Sequence, residues 1–159
     1  MDPGNEQSAW IIYDPVNKVP VRFGLEPNED VLYRIHNREL SMTATHLDCE
    51  MIASYGMPVG STVFDTCVWI GRFIESWLSC AEHATFTQIY RKDVKMHLCG
   101  QTRAKDSNIR QAIMDRYGST RQAAIGTKKN PGPLYGFKKD IWAAMGVAIT
   151  GAEYEADAT

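Results

Sequence analysis

A mixed α/β domain is what the sequence predicts, on three observations. Two short runs near the start, 8–13 (SAWIIY) and 19–23 (VPVRF), are rich in β-branched and aromatic residues and flank a turn-forming stretch, 14–18 (DPVNK). A long segment, 63–82, repeats apolar residues at helical spacing, with Val63, Cys67, Ile70, Ile74, Trp77 and Leu78 on one stripe. The chain closes on an Ala-rich apolar segment, 140–155, in which Ile141, Ala144, Met145, Ala148 and Ile149 can pack inward.

Between these anchors the elements follow in order. The two opening strands begin an antiparallel meander. Asn28 is placed to cap a helix running through Val31, Leu32 and Ile35 to about 40, with Glu29 and Asp30 suited to the positive end of its dipole. Residues 45–53 (THLDCEMIA) read as a buried strand, and 54–62, punctuated by Gly56, Pro58 and Gly60, as the loop that leads into the long helix. A strand at 85–90, a short helix at 92–98 stopped by Gly100 and a longer helix at 105–117 come next. Ser, Gly and Pro then dominate as far as 136, so 118–136 reads as a loop before the final helix.

The length of 159 residues fits a single domain that buries about two-thirds of its unfolded surface without disulfides. Cys49, Cys67, Cys80 and Cys99 form no CxxC or CxxH pair, which argues against a zinc site and for buried free thiols. His36, His46, His83 and His97 have no ligand spacing either. No run approaches the roughly 20 apolar residues of a membrane span, and the opening MDPGNEQSAW has no leader character, so a cytoplasmic protein with no membrane partner is expected.

Charge is unevenly distributed. Residues 1–88 carry 5 basic and 12 acidic side chains, 89–139 carry 12 and 3, and 140–159 carry 0 and 4. The net charge of −2 therefore conceals a strongly basic central block. Lys and Arg gain affinity for a phosphate backbone by releasing its counterions, so the block suits nucleic acid; charge alone equally suits a solvated basic surface.

Four fragments carry a likeness beyond composition: DPGNEQSAWIIYD at 2–14, EMIASYGMPVGSTVFDTCVWIGRFIESW at 50–77, IYRKDVKMHLCGQTRAKDSNIRQAI at 89–113 and DIWAAMGVAIT at 140–150. Together and in this order they resemble the RuvC-like Holliday-junction resolvases, particularly the phage branch, over most of the chain. The resemblance implies a ribonuclease-H-like fold over 1–159, with a five-stranded mixed sheet, its first three strands antiparallel, and helices on both faces. Relatives place several apolar residues before the first Asp where this chain has Met1 alone, so a shortened first strand is expected.

The implied activity is metal-dependent cleavage of four-way and other branched DNA by paired nicks, clearing recombination or replication junctions before phage DNA is packaged. Hydrolysing a phosphodiester requires an activated water, a screen for developing charge and help for the leaving oxygen; two Mg²⁺ ions about 3.5–4 Å apart can supply all three, with Mn²⁺ as a substitute. The positions matching the family's ligands are Asp2 on the first strand, Glu50 on a neighbouring strand and Asp140 at the start of the last helix. Neighbouring strands lie about 4.8 Å apart, close enough for their side chains to share an ion. Many relatives carry another acidic residue three positions into that helix, where this chain has Ala143; either three carboxylates suffice or a fourth ligand comes from elsewhere. Asp106 is a candidate, though a helix N-terminal charge also accounts for it.

The same resemblance sets Arg91, Lys92 and Lys95 beside the scissile phosphate, with Lys95 as an active-site lysine. Arg103, Lys105 and Arg110 extend the basic track, and Lys128 and Lys129 lie in a Gly- and Pro-bounded loop suited to the DNA backbone. Tyr55 and Met57 occupy a loop where relatives wedge an apolar or aromatic side chain against bases; packing onto the core is the alternative. A four-way junction has two-fold symmetry, so a homodimer is implied, with Trp69, Phe73 and Trp77 of the long helix as its candidate interface. The competing readings are a junction-binding protein without cleavage activity and another ribonuclease-H-like nuclease.

Overall fold

The computed structural model of the chain describes residues 1–54, 56, 58–80, 82–118 and 120–157. Strands β1 (Gln7–Asp14) and β2 (Val19–Pro27) form the expected hairpin, paired from Gln7–Pro27 to Asp14–Val19 with an irregularity between Ile12 and Tyr13. The Asp14 carboxylate closes the turn by accepting from the amides of Val16 and Asn17 at 2.9 and 3.0 Å. Helix α1 (Asn28–His36) follows, then β3 (His46–Met51), α2 (Ser61–Cys80), β4 (Thr85–Tyr90), α3 (Arg91–Cys99), α4 (Asp106–Asp115), the short α5 (Arg121–Ala124) and α6 (Ile141–Asp157). The element types match the expected order, except that α5 interrupts the loop expected at 118–136.

Two local expectations are corrected. Asn28 does not cap α1: Pro27 holds the cap position, and the Asn28 side chain turns inward, accepting from Ser8 Oγ at 2.6 Å and donating to the Gly4 carbonyl at 2.9 Å. A buried amide satisfied in this way fixes the turn at the start of the chain. The helix also stops at His36 rather than near 40, because Arg38 enters the left-handed region at φ 61° and the chain turns back.

The described strands form two two-stranded sheets, β1–β2 antiparallel and β3–β4 parallel, rather than the single five-stranded sheet expected. Between them lie Met1 and Asp2. Asp2 and Ala9 exchange backbone hydrogen bonds at 2.8 and 3.0 Å, while Met1 donates its amino group to the Asp48 carbonyl at 2.7 Å and accepts from the Glu50 amide at 2.9 Å. These are an antiparallel bridge to β1 and a parallel pairing to β3. The order across the molecule is therefore β2, β1, Met1–Asp2, β3, β4. A cavity of about 280 Å³ is lined by Met1, Trp10, Ile12, Leu47 and Trp77 among others.

Helices cover both faces. On one, Trp10 and Ile12 of β1 and Leu47 and Cys49 of β3 pack with Val31 and Ile35 of α1 and with Ile70, Phe73 and Trp77 of α2. On the other, Ala9, Ile89, Val94, Ile109 and Ile113 surround α6. Alternation along β1 sends successive side chains to opposite cores. Helix α6 is buried at every position from Ile141 to Gly151 except Ala143, as its nearly continuous apolar sequence requires. No described helix is long and apolar enough to cross a membrane.

The α2 stripe is rotated from the expected one. The buried set is Thr66, Ile70, Phe73, Ser76, Trp77 and Cys80, while Leu78 is exposed. Phe73 and Trp77 thus belong to the core, which removes them from the candidate dimer interface; the exposed apolar residues on α2 are Phe64, Val68 and Leu78. The four thiols are free, but only Cys49 and Cys80 are buried, with Cys67 and Cys99 partly so.

Gly146 lets α3 and α4 close on α6, since a Cβ there would lie 2.9 Å from Val94 Cγ1 and 3.6 Å from both Ile109 and Leu98. Gly146→Val is expected to overpack this junction and cost about 1–3 kcal/mol. Denaturant unfolding should show a lower midpoint with an unchanged slope.

Candidate active site

The site is built where the short central segment meets β3. Asp2 is held by its backbone to Ala9, and its neighbour Met1 is held to Asp48 and Glu50. The two carboxyl groups expected to act together, Asp2 and Glu50, are close enough to perturb each other's ionisation. They line a pocket of about 220 Å³ with Pro3, Met51, Ile52 and Arg91.

Burial dominates the electrostatics. Desolvation, with the adjacent Glu50 charge and the hydrogen bond to it, pushes Asp2 up from 3.8 to about 8, and Asp140 contributes in the same direction. Desolvation also raises Glu50, opposed by the Arg91 guanidinium and the bond to Asp2. Burial and mutual repulsion thus oppose ionisation of both carboxyls at once, with the Arg91 guanidinium and the terminal amino group only partly offsetting them.

Arg91 is the cation of this pocket. It opens α3 directly after β4, and its Nη2 donates to Asp106 Oδ1 at 2.7 Å while Nη1 stands 3.7 Å from Glu50 Oε2. That longer separation is an ion pair but not a hydrogen bond. Glu50 Oε2 and Arg91 Nη1 are both buried without a hydrogen-bond partner among the described residues.

The other expected residues stand further out. Asp140 is exposed at the entry to α6, where its carbonyl accepts from the Ala144 amide; it is near enough to influence Asp2 but does not line the pocket. Ala143, one turn on, is the only position from 141 to 151 that is not buried. Lys95 is partly buried one turn after Arg91, outside the pocket lining. Lys92, Arg103, Lys105, Lys128 and Lys129 are exposed. Arg110 is half-buried, its guanidinium 4.6 Å from the centre of the Trp142 ring. Tyr55 and Met57 lie outside the described residues. Asp106, considered as a metal ligand, instead meets Arg91 at the start of α4. Pairing between residues fifteen apart on different helices leaves no spacing signal in the sequence.

The donor set fits a hard divalent cation. It consists of carboxylate oxygens, one of them an orphaned buried atom, and Mg²⁺ is commonly held by one or two carboxylates together with water and substrate phosphate. Among the described residues no group of three or more His, Cys, Asp or Glu side chains is arranged to hold a metal by itself.

No family model and no curated protein sequence matches the chain significantly. Solved structures do. A Thermus thermophilus RuvC structure superposes with a TM-score of 0.64 at 16% identity, covering 99% of this chain and 94% of that one. The chain has the RuvC fold. T. thermophilus RuvC in complex with a Holliday junction substrate superposes similarly, with a TM-score of 0.62 at 17% identity over 99% of this chain and 93% of that one. The ribonuclease-H-like α/β architecture expected from the sequence is thereby borne out, with the described strands in two two-stranded sheets.

The carboxyl pair sets the pH dependence of stability. Asp2 ionises near 3.8 when unfolded and near 8 when folded, so across that window the folded protein holds a proton that the unfolded chain has released. Stability of the metal-free protein should therefore fall as pH rises from about 4 to 8. Asp48, raised by burial to about 6, adds to the decline at lower pH. Asp2→Asn should flatten the upper part of the profile. A divalent ion competes with the proton on Asp2, so Mg²⁺ should raise Tm more at pH 8 than at pH 6 by calorimetry.

Proposed function

We propose that this protein is a metal-dependent endonuclease that cuts four-way and related branched DNA junctions. The observation that carries the reading is the partly buried Asp2–Glu50 pair in one pocket with Arg91, on a fold shared with a RuvC that was solved bound to a Holliday junction.

In this reading Asp2 and Glu50 would hold Mg²⁺, for which Mn²⁺ can substitute, with Asp140 at the start of α6 as the third carboxylate. A pair of such ions would supply an activated water and a screen for charge developing on the phosphate. The chain's own groups do the rest. The apolar walls formed by Pro3, Met51 and Ile52 limit water around the carboxylates, which strengthens every electrostatic contact inside. Arg91 offers a guanidinium proton to a phosphate oxygen, and Lys95 adds a second positive charge one turn further along α3. Lys92, Arg103, Lys105, Arg110, Lys128 and Lys129 follow the DNA backbone away from the site, while Tyr55 meets the bases near the crossover.

Paired nicks require two sites related by a two-fold axis, which a homodimer provides. Phe64, Val68 and Leu78 on α2 are exposed apolar residues suited to such a contact. The corresponding biological role is resolution of recombination or replication junctions, as a phage needs before packaging its DNA.

Purified protein incubated with labelled four-way junctions and Mg²⁺ should yield symmetric nicks, with much less cutting of linear duplex. Glu50→Gln should reduce cleavage by more than the roughly 10–100-fold typical of losing an outer-shell partner, while leaving junction affinity in Ca²⁺ intact. Normal cleavage by Glu50→Gln would refute the assignment.

The basic loop has a separate signature. Replacing both Lys128 and Lys129 by Ala should weaken binding to all DNA sequences alike. The slope of log affinity against log salt should fall by about one for each phosphate that the loop no longer neutralises, as measured by fluorescence anisotropy.

A further inference from the structure

We propose that Asp106 is a positioning residue that holds Arg91 across the carboxyl pair, so that the unbonded Arg91 Nη1 meets a non-bridging oxygen of the phosphodiester. The proposal rests on the phosphodiester-cleaving reading and assigns a role to a contact between two helices.

A guanidinium presents its donors in a rigid planar fork, so fixing one nitrogen fixes the direction of the others. Here Nη2 is fixed by Asp106 Oδ1 at 2.7 Å, and Nη1 consequently points at Glu50 Oε2 from 3.7 Å. Among the described residues neither of those facing atoms has a hydrogen-bond partner, and both are buried. A buried donor and a buried acceptor left unpaired at this separation form an incomplete contact, costly by itself. A group inserted beside them must accept from the arginine and leave the carboxylate free for a cation. A phosphate oxygen whose charge is shared with a divalent ion meets both requirements.

The outer half of the arrangement shows what Asp106 is for. Its side chain is 79% exposed, against 29% for Arg91 and 13% for Glu50. An ion pair with so exposed a partner adds little to folding stability. The charge also suits the first turn of α4, but that role requires no particular partner. What the contact with Arg91 does is orient it: without Asp106 the guanidinium can swing from the pocket mouth into solvent or collapse onto Glu50.

Cleavage kinetics on a four-way junction test this with Asp106→Asn, which keeps the shape and removes the charge. We expect kcat to fall on the order of tenfold, within the range for outer-shell partners, with Tm and junction affinity in Ca²⁺ essentially unchanged. Asp106→Glu should recover part of the rate. In an Arg91→Gln background, Asp106→Asn should cost less than twofold more, because the group it orients is gone. Wild-type kcat in Asp106→Asn, or a full additional loss in the double variant, would overturn the proposal.

A readout without cleavage separates this from failure of the functional reading. The Arg91 side-chain Nε–Hε NMR signal should be sharp and dispersed in the wild type, broaden in Asp106→Asn, and shift in the wild type when an oligonucleotide junction is added with Ca²⁺. An unshifted Arg91 signal in junction-saturated protein overturns the proposal even if cleavage occurs. A shifted signal in a protein that does not cut retains the phosphate contact and rejects the nuclease.

Discussion

The fold and the site both depend on the double pairing of Met1 and Asp2. These two residues exchange hydrogen bonds with Ala9 on one side and with Asp48 and Glu50 on the other, and among the described residues they are the only backbone that joins the two sheets across the middle of the molecule. The same bonds bring the Asp2 side chain to that of Glu50. Ser8 and Asn28 reinforce the geometry from below, because the buried amide ties the Gly4 carbonyl to the hairpin and to α1. Architecture and chemistry therefore share one set of hydrogen bonds.

The site itself is held at an electrostatic cost. Two carboxyls are largely desolvated together, and the Arg91 guanidinium stands beyond hydrogen-bonding distance of the unpaired Glu50 oxygen. Two apolar cores, one on each face, supply the stabilisation that offsets such an arrangement, and α6 runs almost wholly inside one of them. The order of helices is equally important to the site: β4 hands the chain to α3 at Arg91, and α4 begins at Asp106, so two helix starts meet through the ion pair beside the pocket.

Much of this was legible from the residues. The hairpin, the β3 and β4 strands, the long α2 and the apolar α6 follow from local periodicity and turn chemistry, because those signals depend on neighbours a few positions away. The boundaries that failed did so where a distant partner intervened. Asn28 has the side chain of a helix cap, yet Ser8 and Gly4 claim it. Periodicity admitted more than one face of α2, and the large rings of Phe73 and Trp77, seated against the sheets, selected the buried one.

The candidate site divides along the same line. The sequence by itself identified Asp2, Glu50 and Asp140 as carboxylates in a family-like order, located the basic block that contains Arg91, and predicted a mixed α/β chain; composition, period and motif order are properties of the chain alone. Only the tertiary structure decided that Asp2 and Glu50 meet in one pocket where desolvation raises both, that Asp140 is exposed outside its lining, and that Arg91 is gripped by Asp106. Those outcomes depend on distances between residues tens of positions apart, set by sheet pairing and helix packing. The backbone hydrogen bonds of Met1 and Asp2 carry no side-chain signature from which they could be read.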